Sequence, residues 1–508
     1  MLTLGVAAGF HDAGLAVVDD GEIVFAGHSE RYSKQKHDKD LHIDIVKKGL
    51  SYGTPDVIGY YETPWLKKTR ELYAGQGFFG DRSSAWTTKG ALKNQFTFLK
   101  TGLASGQETK LLPNTKIETY RHHHSHAAAG FQTSPFDDAT VVVIDAIGEW
   151  ETITIWHAEY DSNMKATYKK LWSQKYPHSI GLYYSAMTHR LGLRPLDEEY
   201  IMMGMAGWGE PKHHDEIYDA LLHDDATGRL AHNLHIGVDE DFLKDANEYD
   251  IAASAQSVVE KMIDNVMARA RGFNKSRNLV YMGGVALNCL YNRNLGKFFD
   301  DIWIMPNPGD CGSALGAAAL AYGGKLRWET PFLGTPIVGA YPVDDLIDEL
   351  QTNKIVGVAS GKAEFGPRAL GNRSLLADPR GPEIKDKVND IKRRQKFRPF
   401  APLILEEHVN EYFEMPENLP TSPYMQVVAK CKRPEDFPAI IHVDGTSRVQ
   451  TVSKDFPSGI RDLLERWYVL TGCPILLNTS LNIRGEPMVD TRLDADRFEA
   501  MYGVKVCS

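Results

Sequence analysis

Between Arg121 and Phe131 the chain reads RHHHSHAAAGF, which places four of its 18 histidines within five positions. On a helix, His122 and His126 stand about one turn apart on one face, the spacing at which two imidazoles reach a single metal ion. The plainer reading of such a run is a solvated, histidine-rich surface turn. Two carboxylates bear on the choice. Asp145 ends the apolar run VVVID, and Asp310 sits in the glycine-rich turn PGDCGSALGAAA, both at element ends that a ligand can reach. Taken singly, Asp145 reads as a turn cap and Asp310 as a helix N-cap. Taken with His122 and His126 they complete a mixed N/O donor set suited to a divalent metal, Fe(II) first, with Mn(II), Zn(II) and Mg(II) also open.

Two further groups of residues suit phosphate chemistry. The runs MGGVALN, with Gly283, Gly284 and Asn288, and GDCGSALGAAA let backbone N–H groups approach an anion closely. Either run also serves as a packing device, and Asn288 reads equally as a cap. From Lys362 to Arg398 the chain carries eleven Lys/Arg against five Asp/Glu, although its net charge is −10. Within that stretch EFGPRALGNRS offers Arg368 and Arg373, and KRRQKFRPFAP offers Lys392 and Arg398, planar Arg forks and a compact Lys charge that match phosphate. Arg393 and Arg394 read instead as a solvated basic helix face. Downstream, HVDGTSRVQTV supplies Arg448, and LLNTSLNIRGEP places Asn478, Thr479, Ser480 and Asn482 at the end of an apolar strand, where short polar groups often line a site.

These residues need elements to position them. The runs Leu2 to Ala8, Leu15 to Val18 and Glu22 to Ala26 predict three strands, the last two joined by the hairpin signal Asp20-Gly21. A similar unit recurs in ATVVVID, AIGEW and TITIW, as a duplicated nucleotide-binding architecture would require. Ala85 to Ser105 predicts helix, as do Val258 to Arg271 and SALGAAALAYG, while NLVYMGG predicts a buried strand ending in a tight turn. ETPFLGTPIVG reads as a linker, which divides the chain into residues 1–332 and 333–508. A length of 508 residues with 43% hydrophobic and 24% charged residues fits two domains of an ordinary globular chain. Five scattered cysteines without a C-x-x-C indicate a reducing, cytoplasmic setting, and no apolar run is long enough to span a bilayer. The acidic balance argues against general nucleic-acid binding.

In this order the motifs resemble the O-carbamoyltransferase family of nodulation-factor and antibiotic biosynthesis. GFHDAGLAVV, SERYSKQKHD, the H-x-x-x-H of His122 to His126, VVVIDAIGEW, MGMAGWG, GGVALN, GDCGSALGAA, GPRALGNRSLLADPR, FRPFAP, HVDGTSRVQTV and LNTSLNIRGEP carry the likeness over nearly the whole chain. The resemblance implies an α/β protein with a duplicated actin/Hsp70-like nucleotide-binding domain followed by a YrdC-like α/β domain. It implies that the second domain makes carbamoyl-adenylate from carbamoyl phosphate and ATP, and that the first binds metal and nucleotide and passes the carbamoyl group to a hydroxyl of a small-molecule acceptor. His122, His126, Asp145 and Asp310 would then hold the metal. Arg368, Lys392, Arg398, Arg448 and Asn478 would surround carbamoyl phosphate and the adenylate, with Gly283, Gly284, Asn288 and Ser480 on the nucleotide. Lys36 and His37 would stand near the acceptor end. Where many members carry a Lys shortly before the MGMAG-like motif, this chain has Ile201, so no charge is assigned to that loop.

Other functions share parts of this pattern. A threonylcarbamoyladenosine-type tRNA transferase shares the metal motif but needs no basic C-terminal module and gains nothing from an acidic chain. A sugar or acyl kinase would release ADP without needing carbamoyl phosphate. The sequence leaves the acceptor, the metal's identity and a homodimer open.

Overall fold

The computed structural model of the protein describes residues 1–75, 115–223, 228–273 and 276–508. The helix expected over Ala85 to Ser105 lies outside them. The chain is an α/β protein that forms two compact units, one of residues 1–181, 273–285 and 303–328, the other of residues 182–272, 286–302 and 329–508.

Strands β1 (Leu2–Ala7), β2 (Gly14–Asp19), β3 (Glu22–His28), β4 (Val57–Tyr60) and β5 (Lys116–Thr119) make the first sheet of unit one, in the order β3-β2-β1-β4-β5. The hairpin signal is realised: Asp19 pairs with Glu22 across Asp20 and Gly21, and both loop residues have positive φ, as a two-residue hairpin matched to strand twist requires. The second sheet repeats the plan with β6 (Asp138–Ile144), β7 (Glu151–Tyr160), β8 (Ala166–Lys175), β9 (Asn278–Met282) and β10 (Asp301–Trp303), in the order β8-β7-β6-β9-β10. In each sheet the leading strand pairs antiparallel with the next and parallel with the fourth.

Two helices of small residues lie between these sheets. Helix α1 (His122–Phe131) packs on β6 and β9, α2 (Ser313–Tyr322) packs on β1, and the helices pack on each other. Gly316 is what allows this: a Cβ there would lie 1.8 Å from the Ser125 carbonyl oxygen. The fold thus carries the H-x-x-x-H helix and the Asp310 turn, which leads into α2, to one place.

Unit two centres on an eight-stranded mixed sheet, β16-β17-β18-β15-β19-β14-β12-β20. Its strands are β12 (Ile355–Ala359), β14 (Arg373–Ala377), β15 (Ala401–Leu405), β16 (Phe413–Glu414), β17 (Val427–Cys431), β18 (Thr446–Val452), β19 (Ile475–Ser480) and β20 (Val506–Cys507). Both faces are buried, so ILL in β19 and LLA in β14 are continuous apolar runs rather than alternating ones. Leu375, Ile404, Ile475 and Leu477 join one core, with α4 (Ile384–Ile391) and α6 (Arg492–Tyr502); Leu376, Leu403 and Leu476 join the other, with α3 (Val343–Asn353) and α5 (Ile460–Thr471).

The expected linker ETPFLGTPIVG is partly a strand. Phe332–Ile337 forms β11, which pairs antiparallel with β13 (Gly361–Glu364) as a separate two-stranded sheet despite its Pro and Gly. The break between the units near that point falls after Trp328, and a single cut there does not separate them, since residues 182–272 and 286–302 group with the C-terminal part. Within unit two, Asn292 Nδ2 donates to the Gln426 carbonyl at 2.9 Å and Arg484 pairs with Glu198 at 2.8 Å, contacts between segments far apart in sequence. All five cysteines are buried and unpaired. Among the described residues, no helix is long and apolar enough to cross a membrane.

Candidate functional site

Helix α1 starts at His122 behind an extended Arg121 that offers no side-chain cap. Glu149, in the turn after β6, takes that role: Oε1 accepts from His122 N–H at 3.1 Å and from Thr63 N–H at 2.8 Å. With the helix start fixed, His122 and His126 bring their Nε2 atoms to 3.1 Å from each other. His122 Nε2 lies 3.0 Å from Asp145 Oδ2 and 3.3 Å from Asp310 Oδ1; His126 Nε2 lies 3.2 Å from Asp310 Oδ1 and 3.7 Å from Asp145 Oδ2. These four donor atoms all lie within 4.8 Å of one another, and all four residues are buried.

Two imidazole nitrogens and two carboxylate oxygens aimed at one buried point suit a shared divalent cation better than they suit each other. The Nδ1 atoms of His122 and His126 are buried without a hydrogen-bond partner, so Nε2 is the atom each ring directs to the shared point. Burial opposes charge on either ring, yet Asp310 and Asp145 raise both imidazoles, and the imidazoles hold both carboxyls below the usual carboxylate range. The surface-turn reading of the histidine run is therefore set aside, and neither carboxylate is a simple cap. His123 and His124 point elsewhere. His123 Nδ1 meets Thr154 Oγ1 at 3.0 Å, while His124 stacks on Trp156 and burial pushes its pKa down to about 4.

Gly283 and Gly284 belong to this site through Asp145. At Gly283, φ is +93° and a Cβ would lie 2.1 Å from the Ile144 carbonyl oxygen, so only glycine lets the turn after β9 close on the end of β6. The Gly284 N–H then donates to Asp145 Oδ1 at 3.1 Å, leaving Oδ2 for the imidazoles.

Sequence reasoning missed His11 and Asp12, in the turn between β1 and β2. His11 Nε2 is 3.6 Å from Asp310 Oδ2 and its Nδ1 is 2.9 Å from Asp12 Oδ2. Asp12 Oδ1 in turn meets His37 Nδ1 at 2.7 Å, and Glu30 Oε2 accepts from the His37 backbone N–H at 3.0 Å. Burial works to lower the His11 pKa, but Asp310 and Asp12 outweigh it and raise it to about 9. Asp12 and His37 both sit in the left-handed backbone region, at φ of 50° and 56°. The signal was present in GFHDAG: adjacent His and Asp inside a glycine-bounded turn of a buried hairpin. Lys36 is half-buried in the same loop as His37.

In unit two, Arg368, Lys392, Arg394, Arg398 and Arg448 share a neighbourhood. Burial and repulsion from Arg448 push Arg368 down to about 9. Burial and repulsion from Arg398 lower Arg394, and burial with repulsion from Arg394 and Arg398 lowers Lys392. Arg448 Nε is buried with no hydrogen-bond partner. The Arg398 guanidinium lies 4.7 Å over the Tyr200 ring. Cations that repel one another in a partly buried place would be stabilised by an anion between them.

The other expected ligands fall into two kinds. Lys392 is buried, and its Nζ donates to the Asn482 carbonyl at 2.8 Å, to Asn482 Oδ1 at 2.9 Å and to Ser480 Oγ at 3.3 Å, which ties the LNTSLN turn to the end of α4. Asn478 is buried, with Nδ2 donating to the Ala369 carbonyl at 3.1 Å and to Gln450 Oε1 at 2.8 Å. Asn288 caps a short helix, accepting from Tyr291 N–H at 3.1 Å, and pairs with Gln256. Arg373 is fully buried and donates to backbone carbonyls that include Ser360, Thr335 and Asp490, so it faces no ligand. Arg394 is not a solvated helix residue, because Nε donates to Asn389 Oδ1 at 2.6 Å and the guanidinium lies 4.2 Å over Phe400. Ile201 is core.

Comparisons with known proteins agree along the chain. The carbamoyltransferase N-terminus profile matches residues 2–319 and the carbamoyltransferase C-terminus profile matches residues 347–506. An uncharacterized protein of Synechocystis sp. is 35% identical over 97% of this chain and 93% of its own length. Nodulation protein NolNO of Sinorhizobium fredii is 30% identical over 96% of this chain and 76% of its own. Nodulation protein NolO of Bradyrhizobium diazoefficiens is 33% identical over 74% of this chain and 75% of its own. Among solved structures, an activator of 2-hydroxyisocaproyl-CoA dehydratase from Clostridium difficile with bound ADPNP aligns at 15% identity and a TM-score of 0.33, covering 63% of this chain and 94% of that one.

Proposed function

The chain belongs to the carbamoyltransferase family, and from that premise we propose that it is an ATP-dependent O-carbamoyltransferase acting on a hydroxyl of a small sugar or natural-product acceptor. In this reading carbamoyl phosphate is cleaved by water to carbamate and phosphate. A carbamate oxygen then attacks the α-phosphorus of ATP, giving carbamoyl-adenylate and pyrophosphate. The acceptor oxygen attacks the carbamoyl carbon, AMP leaves, and the hydroxyl proton passes to a base. The free carbamate carbonyl is a poor electrophile; joined to AMP it acquires a good leaving group.

The cation cluster of unit two carries the activation step in this proposal. Arg368, Arg398 and Arg448 are assigned to phosphate oxygens, where they would offset charge that shifts toward pyrophosphate in the transition state. Lys392, Asn478 and Ser480 are assigned to holding the surrounding turns. The observation that supports this most is the buried, partnerless Arg448 Nε beside an Arg368 whose proton affinity burial and the neighbouring cation depress.

The transfer step is assigned to unit one, whose repeated five-stranded sheets suit an actin/Hsp70-like nucleotide-binding fold. His122, His126, Asp145 and Asp310 are the residues that would hold a divalent metal, Fe(II) first among the candidates. When bound, such an ion neutralises the two carboxylates and offers a Lewis-acidic centre to phosphate or carbonyl oxygens. His11 is assigned as the group that takes the acceptor's proton: a cation held by Asp310 and Asp145 would offset the carboxylate charge that raises its pKa, and Asp12 holds its Nδ1 and so orients Nε2. His37 and Lys36 are assigned to the acceptor end. The second domain is proposed to be YrdC-like, and the unpaired cysteines support a cytoplasmic setting.

The test is direct. Purified protein incubated with ATP and carbamoyl phosphate should release pyrophosphate in an amount that depends on both. No pyrophosphate, with or without added Fe(II), sinks the adenylate mechanism.

A further inference from the structure

Arg368 sits in the turn between β13 and β14, and the backbone after it is held by polar side chains from three directions, two of them fully inside the fold. Glu364, 1% exposed, accepts with the same Oε1 from three backbone N–H groups: Leu370 at 2.9 Å, Asn372 at 3.0 Å and Arg373 at 3.1 Å. Gln450, fully buried on β18, donates from Nε2 to the Leu370 carbonyl at 3.0 Å. Its Oε1 accepts from Asn478, whose amide also reaches the Ala369 carbonyl. The Tyr341 hydroxyl donates to the Gly371 carbonyl at 2.7 Å.

A tight turn alone does not need a buried carboxylate. Taking one out of water is expensive, and the remaining Glu364 oxygen, Oε2, is itself buried without a hydrogen-bond partner. Apolar packing or an ordinary turn would stabilise such a segment at less expense. What a carboxylate with three N–H donors adds is one backbone conformation, with Gln450 excluding the alternative in which the Leu370 peptide flips. Arg368 is two residues before the first clamped N–H, close enough for that conformation to fix where its guanidinium points.

We propose that Glu364 and Gln450 are positioning residues that hold the Arg368 guanidinium in the anion site of unit two. This rests on the activation reading given above. Neither side chain touches substrate in this account; each acts through Arg368, so its effect on anion binding must vanish once Arg368 is gone.

A mutant cycle tests this, with inorganic pyrophosphate as the probe and calorimetric affinity as the readout on the full chain. Glu364→Gln and Gln450→Met should each weaken binding about 10-fold to 100-fold, the scale of a misplaced binding group. Combined with Arg368→Ala, neither should weaken it further than Arg368→Ala alone. A single variant that binds within about twofold of wild type, or effects that multiply in the double variants, overturns the proposal. If Arg368→Ala itself leaves affinity unchanged, the activation reading fails rather than the clamp alone. Should Glu364→Gln not fold by circular dichroism, the cycle of Gln450→Met with Arg368→Ala decides.

Discussion

Two residues of the buried His122, His126, Asp145 and Asp310 group owe their placement to a neighbour that fixes one atom. Asp145 offers Oδ2 because Gly284 occupies Oδ1, and His122 begins its helix because Glu149 caps it. His126→Ala therefore removes one of four donors with no replacement nearby, and bound Fe(II) or Zn(II), measured by elemental analysis after dialysis, should fall at least about 10-fold. Glu149→Gln keeps the shape but weakens the acceptor for two backbone N–H groups; a loss of about 1 kcal/mol in urea unfolding is expected, with metal retained. The H-x-x-x-H pair was legible because helical spacing alone places two rings on one face. Asp145 and Asp310 were legible as acids at element ends. His11 was not, since its meaning depends on Asp310, almost the whole of unit one away in sequence. Lys392 and Asn478 were read as ligands because residue type reports charge and polarity but not whether a buried turn already uses them.

Elements carry these residues to one place, and α1 and α2 approach each other closely there. Gly316→Leu forces side-chain atoms into the Ser125 backbone, where even a Cβ would lie at 1.8 Å. It should cost at least about 1–3 kcal/mol and lower metal content together with stability, since α1 holds both histidines and α2 follows Asp310. In unit two, Arg461 on α5 donates from both terminal nitrogens to Glu407, and the Glu407 pKa is lowered to about 2. A carboxylate depressed in the folded state adds stability above its ordinary pKa near 4.3 and loses it as pH falls toward 2. The melting difference between wild type and Arg461→Met should thus be full above about pH 5 and narrow toward pH 2. The pH-dependent part should be no more than about 1 kcal/mol because Glu407 is partly exposed. Strands and helices with strong local patterns were readable, including the Asp20-Gly21 hairpin. ETPFLGTPIVG was not, because its Pro and Gly suggest a linker while its pairing with β13 is set by residues that follow it.

At the scale of the whole molecule, the chain has two compact units, with a buried group of imidazole and carboxylate donors in one and a group of partly buried cations in the other. The sequence suggested this through a basic stretch inside an acidic chain. It did not reveal that residues 182–272 group with the C-terminal part, since no composition change marks that return of the chain. If activation and transfer are separate duties, a variant in one unit must spare the half-reaction of the other. The most direct measurement is pyrophosphate release from ATP and carbamoyl phosphate by Arg398→Ala and His126→Ala side by side, with wild type as reference. Arg398→Ala should lose at least about 100-fold of that rate, while His126→Ala should keep it within a few-fold. Equal loss in the two variants would contradict that separation of duties.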